Sequence, residues 1–336
     1  MRKANYLTIL LLIPVLVLSV GFSSSLAAEK VVVNLADSPP YTEGSPLCEF
    51  AVKFKELAAA YSNGKIDVQI FWGGALGTEQ KVFKDAQIGT VQAVIANIAN
   101  LAPFASALYI VNLPYIFDSR EEAYMLFRGS LGDYFEEQTV KLAGLRVLAW
   151  PDQAGRVLHN TKKSVRSLED MAGLKWRVPN NPVFIAEYKS WGVNPIPMPW
   201  GEVFSSLQTG VIHGGDNVLR NLIDFKMYQM EKYVTVTNHM LEIVPLVVGE
   251  TWFQSQPKEI QDALINAASD AWAWEYFAMK DDVEYVKGAL RAEGMIVDEP
   301  DTTVWKEAAV KIWPQFYDKA GGKEVFDKVI SFKKAR

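Results

Sequence analysis

"GLKWRVPN", residues 173–180, places a single arginine inside an apolar segment that ends at a proline. Tryptophan and valine favour strands, and the residue before a proline is biased towards extended backbone, so these residues predict a short strand. An arginine is rarely buried unless it has a partner. Arg177 therefore predicts a negative charge bound close to this strand.

The segments on both sides of this strand predict a mixture of helices and strands. The quoted stretch is preceded by "SLEDMAG", a short helix capped by Ser167, and followed by helices within 181–192 and 199–210. "GGDN", residues 214–217, predicts a turn because paired glycines punctuate secondary structure. This part of the chain is therefore predicted to be α/β.

The N-terminal half alternates between strands and helices, which is typical of an α/β domain with a mainly parallel sheet. One helix is predicted between an N-cap at Ser45 and a stop at Asn63-Gly64, and a second over 78–88. The predicted strands of the whole chain outside the opening stretch are 30–36, 66–72, 91–97, 145–150 and 242–253.

The C-terminal part is predicted to be almost entirely helical from Pro257 onward. Residues 257–294 contain no internal glycine or proline until Gly288, and a continuous helix of up to about 36 residues would exceed about 45 Å. Such a helix can bridge two domains, and a chain of 336 residues favours two domains over one.

The N-terminus predicts a cleaved signal peptide over residues 1–28. Arg2 and Lys3 precede an apolar run at about 7–22, and small residues follow, with cleavage near Ala27/Ala28. The alternative is an uncleaved membrane anchor, but the run is shorter than the roughly 20 residues that span a bilayer. We therefore expect an exported protein, located in the periplasm.

Composition and charge exclude several classes of protein. The formal net charge of −5 becomes −7 when Arg2 and Lys3 are removed, which argues against nucleic-acid or anionic-membrane partners. Cys48 is the only cysteine, so no intramolecular disulfide can form, and we expect it to pack inside a helix.

No motif for enzyme chemistry stands out. His159, His213 and His239 form no His-Glu-x-x-His pair, and no Gly-x-Ser-x-Gly turn is present. The glycine-rich "GGALGTE", residues 73–79, lacks the Gly-Lys-Ser/Thr of a phosphate-binding loop. We expect no cofactor, no metal and no catalysis, with an exported hydrolase or lyase as the rival class.

Three segments together resemble the DctP-like solute-binding proteins of tripartite ATP-independent periplasmic (TRAP) transporters. They are "RSLEDMAGLKWRVPNNPVF" (166–184), "WGVNPIPMPWGEVFSSLQTGVIHGGDN" (191–217) and "KMYQMEKYVTVTNH" (226–239). The resemblance extends loosely over residues 30–330. It implies a two-lobed α/β binding protein of the Venus-flytrap type, with a long C-terminal helix spanning both lobes.

The resemblance also implies lobe boundaries and partners. Lobe I is expected at 29–151 plus about 245–275, and lobe II at 152–244 plus about 276–336. A monomer is expected that captures an organic acid and delivers it to the membrane permease of a TRAP transporter. A binding protein coupled to a sensor receptor is the alternative.

In the second lobe, the resemblance implies a site for a carboxylate. Arg177 would form a paired salt bridge with the ligand carboxylate, a geometry that suits the planar guanidinium. Arg156 matches a second arginine, Asn217 an amide that binds the same carboxylate, and Trp200 an aromatic over the ligand. The alternatives are a protein carboxylate as partner of Arg177 and core packing for Trp200.

In the first lobe, polar side chains near the predicted strand ends are candidate ligand contacts. They are Asp37, Glu79, Asn97 and Asn100. Trp150, with Trp176 and Trp200, predicts an aromatic surround. These features rank a sugar or hydroxy acid first, an aromatic or keto monocarboxylate second and a C4-dicarboxylate third. Arg220 keeps the dicarboxylate open.

Overall fold

The computed structural model describes residues 30–278 and 283–334. The predicted signal peptide lies outside the described residues. The strands are β1 (Val31–Asp37), β2 (Ile66–Phe71), β3 (Ala93–Ile95), β4 (Leu145–Ala149), β5 (Asp152–Asn160), β6 (Arg177–Val178), β7 (Ile196–Pro197), β8 (Gly214–Val218), β9 (Tyr233–Thr235), β10 (Leu241–Ile243), β11 (Leu246–Gly249) and β12 (Ile296–Asp298). The α-helices are α1 (Pro46–Tyr61), α2 (Glu79–Gln87), α3 (Ile98–Leu101), α4 (Arg120–Phe127), α5 (Ser130–Ala143), α6 (Pro182–Ser190), α7 (Val203–Gln208), α8 (Leu219–Asp224), α9 (Glu250–Gln254), α10 (Lys258–Ala278), α11 (Val283–Ala292), α12 (Thr303–Ala309) and α13 (Lys323–Lys334). Short 3₁₀ helices cover Ser106–Asn112, Glu169–Met171, Trp200–Glu202, Met227–Gln229, Val310–Phe316 and Asp318–Ala320.

The first lobe is built on a five-stranded sheet in the order β2-β1-β3-β11-β4. β1 pairs in parallel with both β2 and β3, whereas β11 is antiparallel to its neighbours β3 and β4. The parallel start predicted from the sequence is therefore confirmed. The apolar residues of these strands, such as Val33 and Leu35, are fully buried beneath α1, whose Cys48 is buried as predicted.

The second lobe has its own sheet, in the order β10-β5-β9-β12, with β8 also paired to β5. The central strand β5 is antiparallel to β8, β9 and β10. The chain passes from the first sheet to the second at Pro151 and returns at Pro245. The two-lobed α/β architecture is confirmed, with the chain crossing twice between the two sheets.

Residues 214–217 form strand β8, so the predicted turn was wrong. The glycines serve close packing between strands: a Cβ on Gly214 would lie 2.0 Å from the carbonyl oxygen of His159 in β5. A Cβ on Gly215 would lie 3.1 Å from the carbonyl oxygen of Arg177. Glycine is needed here because neighbouring backbone approaches the strand, and sequence alone does not separate that need from a turn.

The strand predicted over 242–253 is divided between the two lobes. β10 belongs to the second sheet, β11 to the first, and α9 takes the remainder. Pro245 lies at the crossing, because it lacks the N–H group that a continuous central strand would need. The apolar character of the run reflects burial in both lobes.

The C-terminal helical region contributes to both cores. Residues of α10 such as Leu264 and Ala268 are buried in the first core, whereas Val286 and Leu290 of α11 are buried in the second. The helix predicted to span both lobes is described as these two helices. After α12, the chain returns to the first core with Phe316. The last residues therefore pack differently from the predicted lobe boundary, which assigned them to the second lobe.

None of the helices in the described ranges is long and apolar enough to span a bilayer.

Candidate functional site

A cavity of about 60 Å³ lies between the two lobes. Seven of the nine residues predicted as ligand contacts line it: Glu79, Asn97, Asn100, Arg156, Arg177, Trp200 and Asn217. The others that line it are Ser38, Pro39, Leu47 and Ala96 from the first lobe, Pro179, Asn221, Phe225 and Glu242 from the second, and Val244 at the crossing. Segments far apart in sequence therefore converge on one small polar space.

Arg177 projects from the two-residue strand β6, which pairs with β7. Its Nε and Nη2 donate to the carbonyl oxygen of Met198 at 2.9 and 2.7 Å. The structure shows no ion pair between this guanidinium and any described carboxylate. Burial lowers the pKa of Arg177 to about 10, so the group stays cationic at neutral pH. A buried cation with no carboxylate in salt-bridge contact favours an anionic ligand.

Arg156 makes the opposite arrangement. Its Nε donates to Asp216 Oδ2, its Nη2 to the Asp216 carbonyl oxygen at 2.6 Å and its Nη1 to Glu242 Oε2. Burial opposes both charges, but Arg156 holds the pKa of Asp216 well below its usual range. The alternative given above for Arg177, a salt bridge to a carboxylate of the protein, is therefore found at Arg156 instead. Its guanidinium lines the cavity with its charge already compensated.

Asp216 also contacts a buried histidine, through the same carboxylate oxygen that accepts from Arg156. His239 Nε2 lies 3.3 Å from Asp216 Oδ2, and its Nδ1 lies 2.7 Å from the hydroxyl of Thr237. Burial lowers the pKa of His239. These contacts fix Asp216 in place, and Asp216 in turn fixes Arg156.

Asn217 and Trp200 complete the second-lobe wall. Asn217 Oδ1 accepts from the amide of Val218 at 2.9 Å and from Asn221 Nδ2 at 2.8 Å, so its own Nδ2 is the donor left for the cavity. The Trp200 ring centre lies 5.9 Å from Arg177 Cζ and 5.6 Å from the ring of Phe225. Trp200 thus combines a place in the cavity wall with packing inside the lobe.

The first-lobe wall is acidic and amide-rich. Glu79 begins α2 after the N-cap Thr78, and its Oε1 accepts from the backbone N–H of Asn97 at 3.3 Å. Its Oε2 accepts from Asn100 Nδ2, while Asn100 Oδ1 accepts from Gln80 Nε2 at 2.7 Å. Burial raises the pKa of Glu79 despite these bonds. Asn97 Oδ1 caps α3 by accepting from Ala99, so the amides position the carboxylate more than they face the ligand.

Asp37 lies behind this wall and does not line the cavity itself. It ends β1 and is buried, with no hydrogen-bond partner for either carboxylate oxygen among the described residues. Burial, reinforced by the nearby charge of Glu79, raises the pKa of Asp37 well above its usual range. The following residues, Ser38 and Pro39, reach the cavity in its place.

Trp150 and Trp176 do not reach the cavity. Trp150 is buried in the first core and stacks on Phe127 with ring centres 4.5 Å apart. Trp176 is fully buried, and its Nε1 donates to the carbonyl oxygen of Met171 at 3.0 Å. The predicted aromatic surround is thus reduced to Trp200 and Phe225, because large aromatic side chains fill cores as readily as binding sites.

Arg220 lies at the edge of the cleft and not among the lining residues. Its Nε donates to Asp224 Oδ1 at 2.9 Å, and its Nη2 donates across the lobes to the carbonyl oxygen of Gly44 at 3.1 Å. It therefore contributes a contact between the lobes, and the reason for keeping a dicarboxylate open becomes weaker.

Sequence reasoning missed Glu242, Phe225, Asn221 and Leu47 as lining residues. A signal for Glu242 was present: it is a carboxylate in the apolar run 241–249, the same kind of oddity that singled out Arg177. No group of side chains suited to hold a metal ion occurs within residues 30–278 and 283–334.

Two lobes with separate sheets, each supplying one wall of a shared polar cavity, define a two-lobed binding protein. Residues 39–320 match the family model DctP, described as bacterial extracellular solute-binding protein, family 7. The chain belongs to this family, whose members include periplasmic solute-binding proteins of TRAP transporters.

Three relatives illustrate the range of the family. A solute-binding protein of Roseobacter denitrificans is 31% identical over 77% of this chain and 79% of its own length. Its crystal structure with bound L-galactonate has a TM-score of 0.80, covering 87% of this chain and 99% of that chain, at 27% identity. The crystal structure of a TRAP periplasmic solute-binding protein of Pseudomonas putida with bound D-glucuronate has a TM-score of 0.82 at 29% identity, covering 89% of this chain and 96% of that chain. The C4-dicarboxylate-binding protein DctP of Rhodobacter capsulatus is 25% identical over 92% of this chain and 93% of its own.

Proposed function

We propose that this protein captures an organic acid anion, with sugar acids and hydroxy acids preferred, between its two lobes in the periplasm. The observation that supports the proposal is that Arg177 is a buried cation at the cavity and forms no salt bridge with any described carboxylate. A ligand carboxylate would complete it through two parallel hydrogen bonds. The relatives with bound L-galactonate and D-glucuronate support this class of ligand.

Ligand binding would favour the closed arrangement of the lobes. Arg177 and Asn217 belong to the second lobe and Glu79 to the first, so a ligand contacts both walls only when the lobes are together. A ligand can shift such an equilibrium only by its difference in affinity for the two states. The closed, loaded protein would then deliver the acid to a TRAP membrane permease, after its signal peptide has been removed near Ala27/Ala28.

The test of this proposal is calorimetric titration of the purified protein with sugar acids, hydroxy acids, keto acids and C4-dicarboxylates. Arg177→Ala should weaken the binding of the best acid by at least about 3 kcal/mol, because the ligand carboxylate would be left buried without its partner. Arg177→Lys is the matched control: it keeps the charge, loses the planar pair of donors, and should weaken binding by an intermediate amount.

Wild-type affinity in the Arg177→Ala variant would overturn the role of Arg177. Native mass spectrometry of the protein with the ligand retained from its host identifies the acid directly. The same experiment separates a binder from an enzyme, since a binder returns the acid unchanged. Uptake into vesicles that hold the permease, stimulated by the loaded protein, would distinguish transport from coupling to a sensor receptor.

A further inference from the structure

The cavity is lined by two cations, Arg156 and Arg177, and two carboxylates, Glu79 and Glu242, and these groups differ in how they are paired. Arg156 is engaged by Asp216 and Glu242, so within the described part of the chain Arg177 is the cavity cation without a carboxylate partner. The space therefore offers one unpaired cation for a ligand carboxylate, while Arg156 is already paired and the two carboxylates are acceptors.

Glu242 is presented to the cavity by an irregularity in the sheet. It lies between Leu241 and Ile243, where the pairing of β10 with β5 shifts register. Such bulges redirect a side chain relative to a regular strand. The Glu242 side chain is 8% exposed to solvent. One of its oxygens, Oε2, accepts a hydrogen bond from Arg156 Nη1. No described residue donates a hydrogen bond to the other oxygen, Oε1, which leaves it for a donor in the cavity.

Glu79 supplies a second acceptor from the opposite lobe. Burial raises the pKa of Glu79, the hydrogen bond from Asn97 and the charge of Arg177 oppose this rise, and the charge of Glu242 adds a smaller upward contribution across the cavity. Carboxylates held in this way are stabilised by hydroxyl donors and destabilised by another anion. Two acidic acceptors on facing walls favour a ligand with hydroxyl groups away from its carboxylate.

We infer that Glu242 is a specificity residue that contacts the ligand, accepting a hydroxyl hydrogen opposite Glu79 and excluding a second carboxylate. The ligand class is then a polyhydroxylated monocarboxylic acid, with its one carboxylate on Arg177. This inference rests on the proposed function, since it assumes that the cavity holds an organic acid.

The experiment compares acids that differ only in their second end: D-gluconate with D-glucarate, L-galactonate with galactarate, and D-erythronate with meso-tartrate. Titration calorimetry on the wild-type protein should show each bound monoacid at least about tenfold tighter than its diacid partner, the scale of one charge-assisted hydrogen bond. Equal or tighter binding of the diacids would overturn the inference and leave the proposed function standing. Binding of a keto acid or another acid without hydroxyl groups, and of none of the six, would overturn the inference alone, whereas no binding by any acid of the wider series would overturn both.

The variant Glu242→Gln tests the residue itself. Its amide oxygen can still accept from Arg156, while its NH₂ group replaces the cavity acceptor by a donor. The preference for the monoacid should therefore shrink by about tenfold. A merely structural role would weaken monoacid and diacid alike, so an unchanged ratio overturns the inference even if both affinities fall. The control is Glu293→Gln, an exposed residue of the same lobe, which should leave the ratio unchanged.

Discussion

The two lobes meet in two places of contrasting character. At the cavity, Arg177 has no carboxylate partner among the described residues. Where the chain crosses between the sheets, Arg120, Asp152 and Glu275 form a crossover cluster in which Arg120 donates to Asp152 and, at 3.0 Å, to Glu275. The arginine of this cluster is thus paired by carboxyl groups of the protein itself. The cavity leaves a charge to be compensated by the ligand.

Breaking the crossover cluster should have the largest effect on stability. Arg120→Ala leaves two buried carboxylates without their partner, and we expect the free energy of unfolding to fall by about 3–5 kcal/mol. Urea denaturation measures this loss. The exposed Arg291, which pairs with the exposed Glu299, is the control, and its replacement by alanine should cost about 1 kcal/mol or less. Equal losses for the two variants would contradict the contrast between the two regions.

The pH dependence of stability sharpens the same contrast. Burial, with the nearby charge of Asp152, raises the pKa of Glu275 to about 8, whereas an unfolded glutamate titrates near about 4.3. The folded state therefore holds a proton that the unfolded state has lost, so this group's contribution to stability is present below about pH 4 and declines as pH rises towards 8.

Glu275→Gln should remove that decline, because glutamine does not titrate and still accepts from Arg120. The variant should match the wild type near pH 4 and exceed it by several kcal/mol at pH 8, measured by urea denaturation across the range. Parallel curves for wild type and variant would show that Glu275 does not titrate in this window. Replacing the exposed Glu307 by glutamine serves as control.

A smaller effect is expected at a neutral contact between the lobes. Asn181 caps α6 through Oδ1, which accepts from Val183, and its Nδ2 donates to the carbonyl oxygen of Ala99 in the first lobe at 2.8 Å. Asn181→Ser keeps a capping oxygen but loses the amide NH₂ group that donates to Ala99, so we expect a loss of about 1 kcal/mol in thermal or urea unfolding. The exposed neighbour Asn180 is the control. A loss of the same size in Asn180→Ser would show that the hydrogen bond from Asn181 to Ala99 does not stabilise the protein.

Much of the fold could be predicted because local periodicity and stop signals reflect local physics. Helix α1 ends at Tyr61 before the left-handed Asn63 and Gly64, as the Asn-Gly pair indicated. The predictions failed where one segment contributes to both lobes, or where glycine is required because a neighbouring strand packs closely against it. Residues 242–253 are mostly apolar although their strands belong to two different sheets, and residues 214–217 form a strand because β5 lies against them.

Site residues were predictable where a polar group interrupts an apolar segment or matches the family's pattern. Arg177 was identified in this way. Trp150 was not placed at the cavity, because residue type alone does not separate a core aromatic from a binding aromatic. Glu242 carried a usable signal, a carboxylate between apolar neighbours, but its direction depends on a bulge that only strand pairing shows.

The sequence by itself determined an α/β chain with helices and strands close to those observed, and it marked an arginine that needs an anion. It could not decide which of the two buried arginines, Arg156 or Arg177, is already paired with a carboxylate of the protein. Asp216 and Glu242 are 60 and 86 residues from Arg156 in the chain, and they reach it because β8 and β10 pair with β5. Charge compensation depends on distances of a few ångströms, which are set by the tertiary structure and not by position along the chain.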